Sequence, residues 1–182
     1  MSAINDFLKK IHNLEKRANS IKTHHVRVGW VDGAKEINED GTPGASLAQV
    51  ALTMCLGRAG GISKKDGHEY GAIPARNFLK VFDTKFRKPV TRMAARQLLD
   101  FEKGAEEIDL VPVGYIAKEQ LKKAMKESNA YAPNSPFTVN GGWMVNPISG
   151  KPFYAKPKKS ARPLWNKGTL ITSVDFEIKA NG

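Results

Sequence analysis

Hydrophobic periodicity changes along this chain in an order that leaves few folds open. Ile4, Phe7, Leu8, Ile11, Leu14, Ala18 and Ile21 recur at helical spacing after a capping Ser2, which predicts a helix over about 3–20. Val26 to Val31 then alternates as a strand does, and Asp32-Gly33 and Asp40-Gly41 are turn signals. Ser46 and Gln49 form a capping box before Leu47, Val50, Ala51 and Met54, and Gly57 closes that helix. Residues 57–72 read as a glycine-rich loop. Phe78, Leu79, Phe82, Phe86, Val90, Met93 and Leu98 carry a long helix to about 103, kinked or divided at Pro89. Asp109 caps a further helix that tolerates Pro112 in its first turn and ends near Ser128. Beyond it, Phe137–Val145 and Pro152–Ala155 flank a turn and predict a hairpin, and residues 173–178 alternate as a last strand. Helices and strands mix without a βαβ rhythm. The expectation is an α+β fold, a largely antiparallel sheet packed with three to four helices, with a protruding β-hairpin at about 137–162.

Length and composition keep this within ordinary globular bounds. The 182 residues suit a single domain spanning 1–182, with residues 1–22 as a helical arm and 24–178 as the core. Hydrophobic residues make up 41% and charged residues 26%, which is no disordered composition. No long uncharged apolar run predicts a membrane span, and Met1 to Lys22 has no secretory pattern. The single Cys55 excludes an internal disulfide framework and suits a chain made in a reducing cytosol.

Charge is uneven. There are 29 Lys+Arg against 18 Asp+Glu, a net of +11, and this excess favours a polyanion as neighbour. The densest basic run is Lys151, Lys156, Lys158, Lys159, Arg162 and Lys167, with no acid among them. Prolines 152, 157 and 163 keep it from being helical. It reads either as a solvated loop or as a strip facing DNA or an acidic partner.

Catalytic chemistry is hard to assemble. His24 and His25 point to opposite faces of a strand, His12 lies on the polar side of its helix, and His68 sits in a loop beside Glu69. Cys55 lies near a helix C-terminus, which disfavours a thiolate. Glu102, Glu106, Glu107 and Asp109 cluster at a helix junction, where carboxylates either hold magnesium for a nuclease or simply cap a helix start. No phosphate loop, dinucleotide fingerprint or serine elbow occurs. Trp30, Trp143 and Trp165 read as packing residues rather than a base-stacking platform, with Trp143 in a cross-strand pair with Phe153 or Tyr154. The expectation is a non-enzyme with no cofactor and no metal.

Three segments in order carry a resemblance. They are Val26–Gly33 followed by Ala48–Ala51; Ile73-Pro74-Ala75-Arg76-Asn77-Phe78-Leu79; and Asn134-Ser135-Pro136-Phe137-Thr138 running on to Pro163-Leu164, Gly168-Thr169-Leu170 and Ser173-Val174. Together they resemble the tail-completion and neck proteins, the head–tail joining group, of tailed bacteriophages, over about residues 24–178. The resemblance implies a structural virion protein, made in the host cytoplasm, that completes the tail end and joins it to the head around the DNA channel. A tail terminator or head-side connector ring is the near alternative, and a stand-alone nucleic-acid-binding protein the more remote one. Implied partners are further copies in a hexameric ring, neighbouring neck and tail proteins, and packaged DNA, but no membrane. Ile73, Pro74, Arg76, Phe78, Asn134, Ser135, Thr138, Pro163, Leu164, Gly168, Leu170 and Ser173 match the pattern as fold-maintaining residues. Ile4, Phe7, Leu8 and Ile11 present an apolar face as an interface. Departures fall at Cys55–Arg58, at Asn77 in place of a proline, and at Trp165-Asn166-Lys167, all expected in exposed turns.

Overall fold

The structure is a computed structural model that describes residues 2–31, 33–37, 41–62, 69–70, 72–105, 107–145, 150, 152–158, 164 and 168–180. Helix α1 (Ser2–Thr23) runs without an intervening residue into strand β1 (His24–Gly29). A short ladder, β2 (Lys35–Ile37) with β3 (Pro43–Ser46), leads into helix α2 (Leu47–Leu56). Strands β4 (Gly61–Ile62) and β5 (Glu69–Tyr70) pair inside the segment expected as loop. Then come α3 (Phe78–Val81), a π-helical segment at Phe82–Phe86, α4 (Arg87–Glu102) and α5 (Val111–Lys126). A 3-10 turn (Ser128–Ala130) and α6 (Pro136–Asn140) precede the hairpin of β6 (Gly142–Val145) and β7 (Pro152–Ala155). The last elements are α7 (Thr169–Thr172) and β8 (Asp175–Ala180).

The fold is α+β and every ladder is antiparallel. Among the described residues the strands form four separate two-stranded ladders, β1–β8, β2–β3, β4–β5 and β6–β7, rather than one continuous sheet. The β1–β8 ladder pairs His24 with Ala180 through Gly29 with Asp175 and lies against α5. Gly114 on α5 is buried because the Phe176 ring of β8 occupies the space its side chain would fill. Tyr115 stacks edge-on against the same ring at 4.9 Å, and Lys118 reaches across to Asp175 at 3.1 Å. That ammonium, followed by the Phe176 backbone N–H, holds the Asp175 carboxyl below its ordinary value.

The core gathers Ala51, Cys55, Phe78, Leu121, Met125, Tyr131, Leu164, Ile171 and Val174, with Trp30 and Leu170 against its edge. Trp30 meets Phe78 edge-to-face at 5.8 Å, and its indole N–H donates to the Leu170 carbonyl at 2.8 Å. The half-buried indole thus keeps its polar end satisfied while its ring packs.

Several local expectations change. Ser46 stands at the N-cap of α2 but makes no side-chain cap bond; it closes the β2–β3 ladder opposite Lys35 instead, so strand pairing overrides the capping box. The division expected at Pro89 lies just upstream of it. Pro89 has no N–H for the Lys85 carbonyl and its ring crowds that oxygen, and the helix widens to a π turn over Phe82–Phe86 before α4. Asp109 does accept the Val111 N–H at 3.0 Å, although the helix boundary falls one residue later. The strand expected from Phe137 is a helix up to Asn140, because Ser135 accepts the Thr138 N–H and Pro136 takes the first helical position. The final strand starts at Asp175, since Ser173 still ends α7.

Candidate functional site

The three segments that carry the resemblance meet in one place. Arg76 follows Ile73-Pro74, whose backbone runs extended and bridges Arg58. This approach is so close to α2 that a Cβ on Gly57, at φ +73°, would stand 2.7 Å from the Ala75 nitrogen, so residue 57 must be glycine. Arg76 is buried at 6% exposure. Its Nη2 donates to Asn134 Oδ1 at 3.1 Å, its Nε to the Ala132 carbonyl at 3.4 Å and its Nη1 to Met54 Sδ at 3.5 Å. Among the described residues no carboxylate pairs with it. Burial lowers the guanidinium pKa from its ordinary value, yet arginine keeps its charge at neutral pH. A planar five-donor group held by neutral acceptors from two other segments, α2 and the stretch before α6, is a fastener, with no face left for a substrate.

The other motif residues range from the core to the surface. Phe78, at 1% exposure, fills the core, and Asn77 caps α3 by accepting the Lys80 N–H at 2.9 Å. Ile73 is half-buried and Pro74 exposed. Ser135 and Thr138 share a hydroxyl–hydroxyl bond of 2.9 Å at the start of α6, and the Thr138 carbonyl accepts the Lys158 N–H at 3.1 Å. Leu164 is buried with a left-handed backbone at φ +60°. That conformation costs on the order of 1 kcal/mol for a non-glycine residue, and burying a leucine side chain contributes about 2 kcal/mol against it. Gly168, at φ +78°, stands at the N-cap of α7, while Leu170 and Ser173 are half-buried beside the core. Pro163 lies outside the described residues. Two of the departures touch each other: the Cys55 thiol donates to Asn77 Oδ1 at 3.5 Å. Cys55 is at 3% exposure, so it belongs to the core and not to an exposed turn.

The basic strip is described only in part. Lys156 and Lys158 are exposed after β7, and Lys151, Lys159, Arg162 and Lys167 lie outside the described residues. Trp143, expected as a packing residue, is 73% exposed and meets Tyr154, half exposed, edge-on at 5.7 Å across the ladder. The cross-strand pair forms as the hairpin register requires, but its faces stay open to solvent.

On α1 the apolar face is open too. Ile4, Phe7, Leu8, Ile11 and Leu14 are all exposed, and among the described residues no other element makes more than marginal contact with the helix. A feature absent from the sequence reading is a cleft of about 410 Å³ between α4, the segment before α5, and the start of the β1–β8 ladder. Leu98, Val111 and Ile178 line it, with His24, Glu107 and Asp109 among its polar groups. No local motif announces it, since its walls come from four distant stretches. Among the described residues no group of three or more His, Cys, Asp or Glu is placed to hold a metal, and no helix is long and apolar enough to cross a membrane.

No family model, curated protein or solved structure matches this chain.

Proposed function

We propose that this chain is a structural component of the neck or tail of a tailed bacteriophage, forming a ring that completes the tail end and joins it to the head around the DNA channel. One observation carries the reading. The separate segments on which the resemblance rests converge on Arg76 and Phe78, with Arg76 and Asn134 joined across 58 residues of sequence. Residues gathered into a fastener and a core suit a scaffold whose task is to hold shape. The net charge of +11 suits a subunit that faces DNA or an acidic ring. In this reading the chain does no catalysis, its copies form a hexamer matching tail symmetry, and tail terminator or head-side connector are neighbouring positions for the same ring.

Mass spectrometry of purified particles tests it. The chain should be present at a ring's worth of copies, and one or two copies per particle would overturn the proposal. Reversing Lys156 and Lys158 to Glu should leave the fold intact and lower the yield of joined particles, because the contact is electrostatic and intermolecular. The basic charge also favours a second reading, a free nucleic-acid binder. That protein would hold naked DNA with a steep salt dependence, whereas a neck subunit would release it at physiological ionic strength.

A further inference from the structure

Two unfinished surfaces of this molecule fit each other. The first is the apolar face of α1, on which Phe7 is 63% exposed and Ile4 71%. The second is the cleft beside α4 and α5, walled by Leu98, Val111 and Ile178, each itself partly open to solvent. Their charges are opposite. Helix α1 carries Lys9, Lys10, Lys16, Arg17 and Lys22 against only Asp6 and Glu15, while the cleft lining among the described residues holds Glu107 and Asp109 and no lysine or arginine.

We propose that α1 of one copy docks in the α4–α5 cleft of a second copy, placing Ile4, Phe7, Leu8 and Ile11 against its apolar wall, with Lys10 on the flank of that face beside its carboxylates. The connectivity selects a second copy over the chain's own cleft. Thr23 ends α1 and His24 begins β1, and His24 already lines the cleft. The helix therefore leaves the body at the rim with no linker to turn it back. An amphipathic helix laid in an apolar groove is an established mode of recognition. Because helix and groove are different patches, the contact is heterologous and propagates from copy to copy until it closes. This deepens the ring interface of the proposed function, but it is a statement about the chain alone and its test needs no particle.

The experiment uses the full-length chain with one cysteine added per variant. Phe7→Cys and Leu98→Cys chains are mixed and oxidised; Cys55 is buried and does not compete. The expected product is a disulfide-linked pair of unlike chains, with little linkage within either variant alone. Light scattering on the unmodified chain should show self-association. Phe7→Asp and Leu98→Asp should each weaken it by roughly 30-fold or more, as loss of a buried apolar anchor does, with the circular dichroism of the body unchanged. Linkage of Phe7→Cys chains only to each other would overturn the proposal, because helix would then be pairing with helix. So would an internal disulfide in a monomeric Phe7→Cys/Leu98→Cys chain, or a monomer at every soluble concentration. If the mixed pair forms and particles lack the protein, the neck reading fails and this interface stands. If particles contain it and the mixed pair does not form, the reverse holds.

Discussion

The region around Phe78 and the region around Phe7 are built from the same residue types and have opposite fates. Each starts as an apolar stripe on a helix. Phe78 meets Trp30 edge-to-face and shares one buried cluster with Leu121, Leu164 and Val174, residues drawn from widely separated parts of the sequence. Phe7, Leu8 and Leu14 have no such cover. The β6–β7 hairpin behaves like α1: its Trp143–Tyr154 pair is locally made and globally open. A local pattern thus states that a helix or strand has an apolar side. What covers that side depends on long-range packing or on another molecule.

The contrast can be broken first by truncation. Phe78→Ala should destabilise the body by about 3–5 kcal/mol, the cost of a large cavity in a packed core. Trp143→Ala should leave the urea midpoint almost where it was, because an exposed ring has little burial to lose. Equal shifts in the two variants would mean that the hairpin is part of the core. Gly114→Ala comes next. The new methyl would overlap the Phe176 ring, and overpacking of this kind costs about 1–3 kcal/mol. The loss should appear as faster amide exchange in the β1–β8 ladder, with α3 protection less affected.

Asp175→Asn probes the polar edge of the same contact. The carboxyl is held below its ordinary value by Lys118, so its contribution is present above the unfolded-state value and fades as pH falls through the folded one. The side chain is 55% exposed, and the effect should be no more than about 0.5 kcal/mol after solvent screening. Stability of wild type and variant should converge in acid, and a gap that widened there would reverse the assignment. Ser46→Ala is the smallest. A working cap residue is worth about 1 kcal/mol, but this one makes no cap bond, so thermal melting should barely move.

How much of this was written in the sequence depends on the range of the forces involved. The helices at 2–23, 47–56 and 111–126 were legible because a 3.6-residue period is local. The antiparallel pairing of Trp143 with Tyr154 was legible because the two strands are close neighbours in the chain. The short helix at Pro136 was missed although Ser135-Pro136 is a helix start, because the run from Phe137 to Val145 looks strand-like once that signal is overlooked. The Arg76–Asn134 fastener and the cleft at Leu98 had no local signature, since each is made by segments that meet only in three dimensions. The exposure of α1 was half legible: its greasy face could be counted, and its lack of cover could not.

The β1–β8 ladder has a kinetic consequence. Trp30 and Leu170, joined just beyond it, are 140 residues apart, so this closure is among the slowest contacts the chain can make. On the ribosome, α1 and β1 emerge long before β8 exists to pair with them. A growing chain therefore carries an unpaired strand edge next to a sticky helix for most of its synthesis, at the stage when such edges invite misassembly. Three of the five basic residues of α1 lie in the half nearest β1, at Lys16, Arg17 and Lys22. On neighbouring nascent chains these like charges repel, which discourages helix from pairing with helix before the acidic cleft between α4 and α5 has formed.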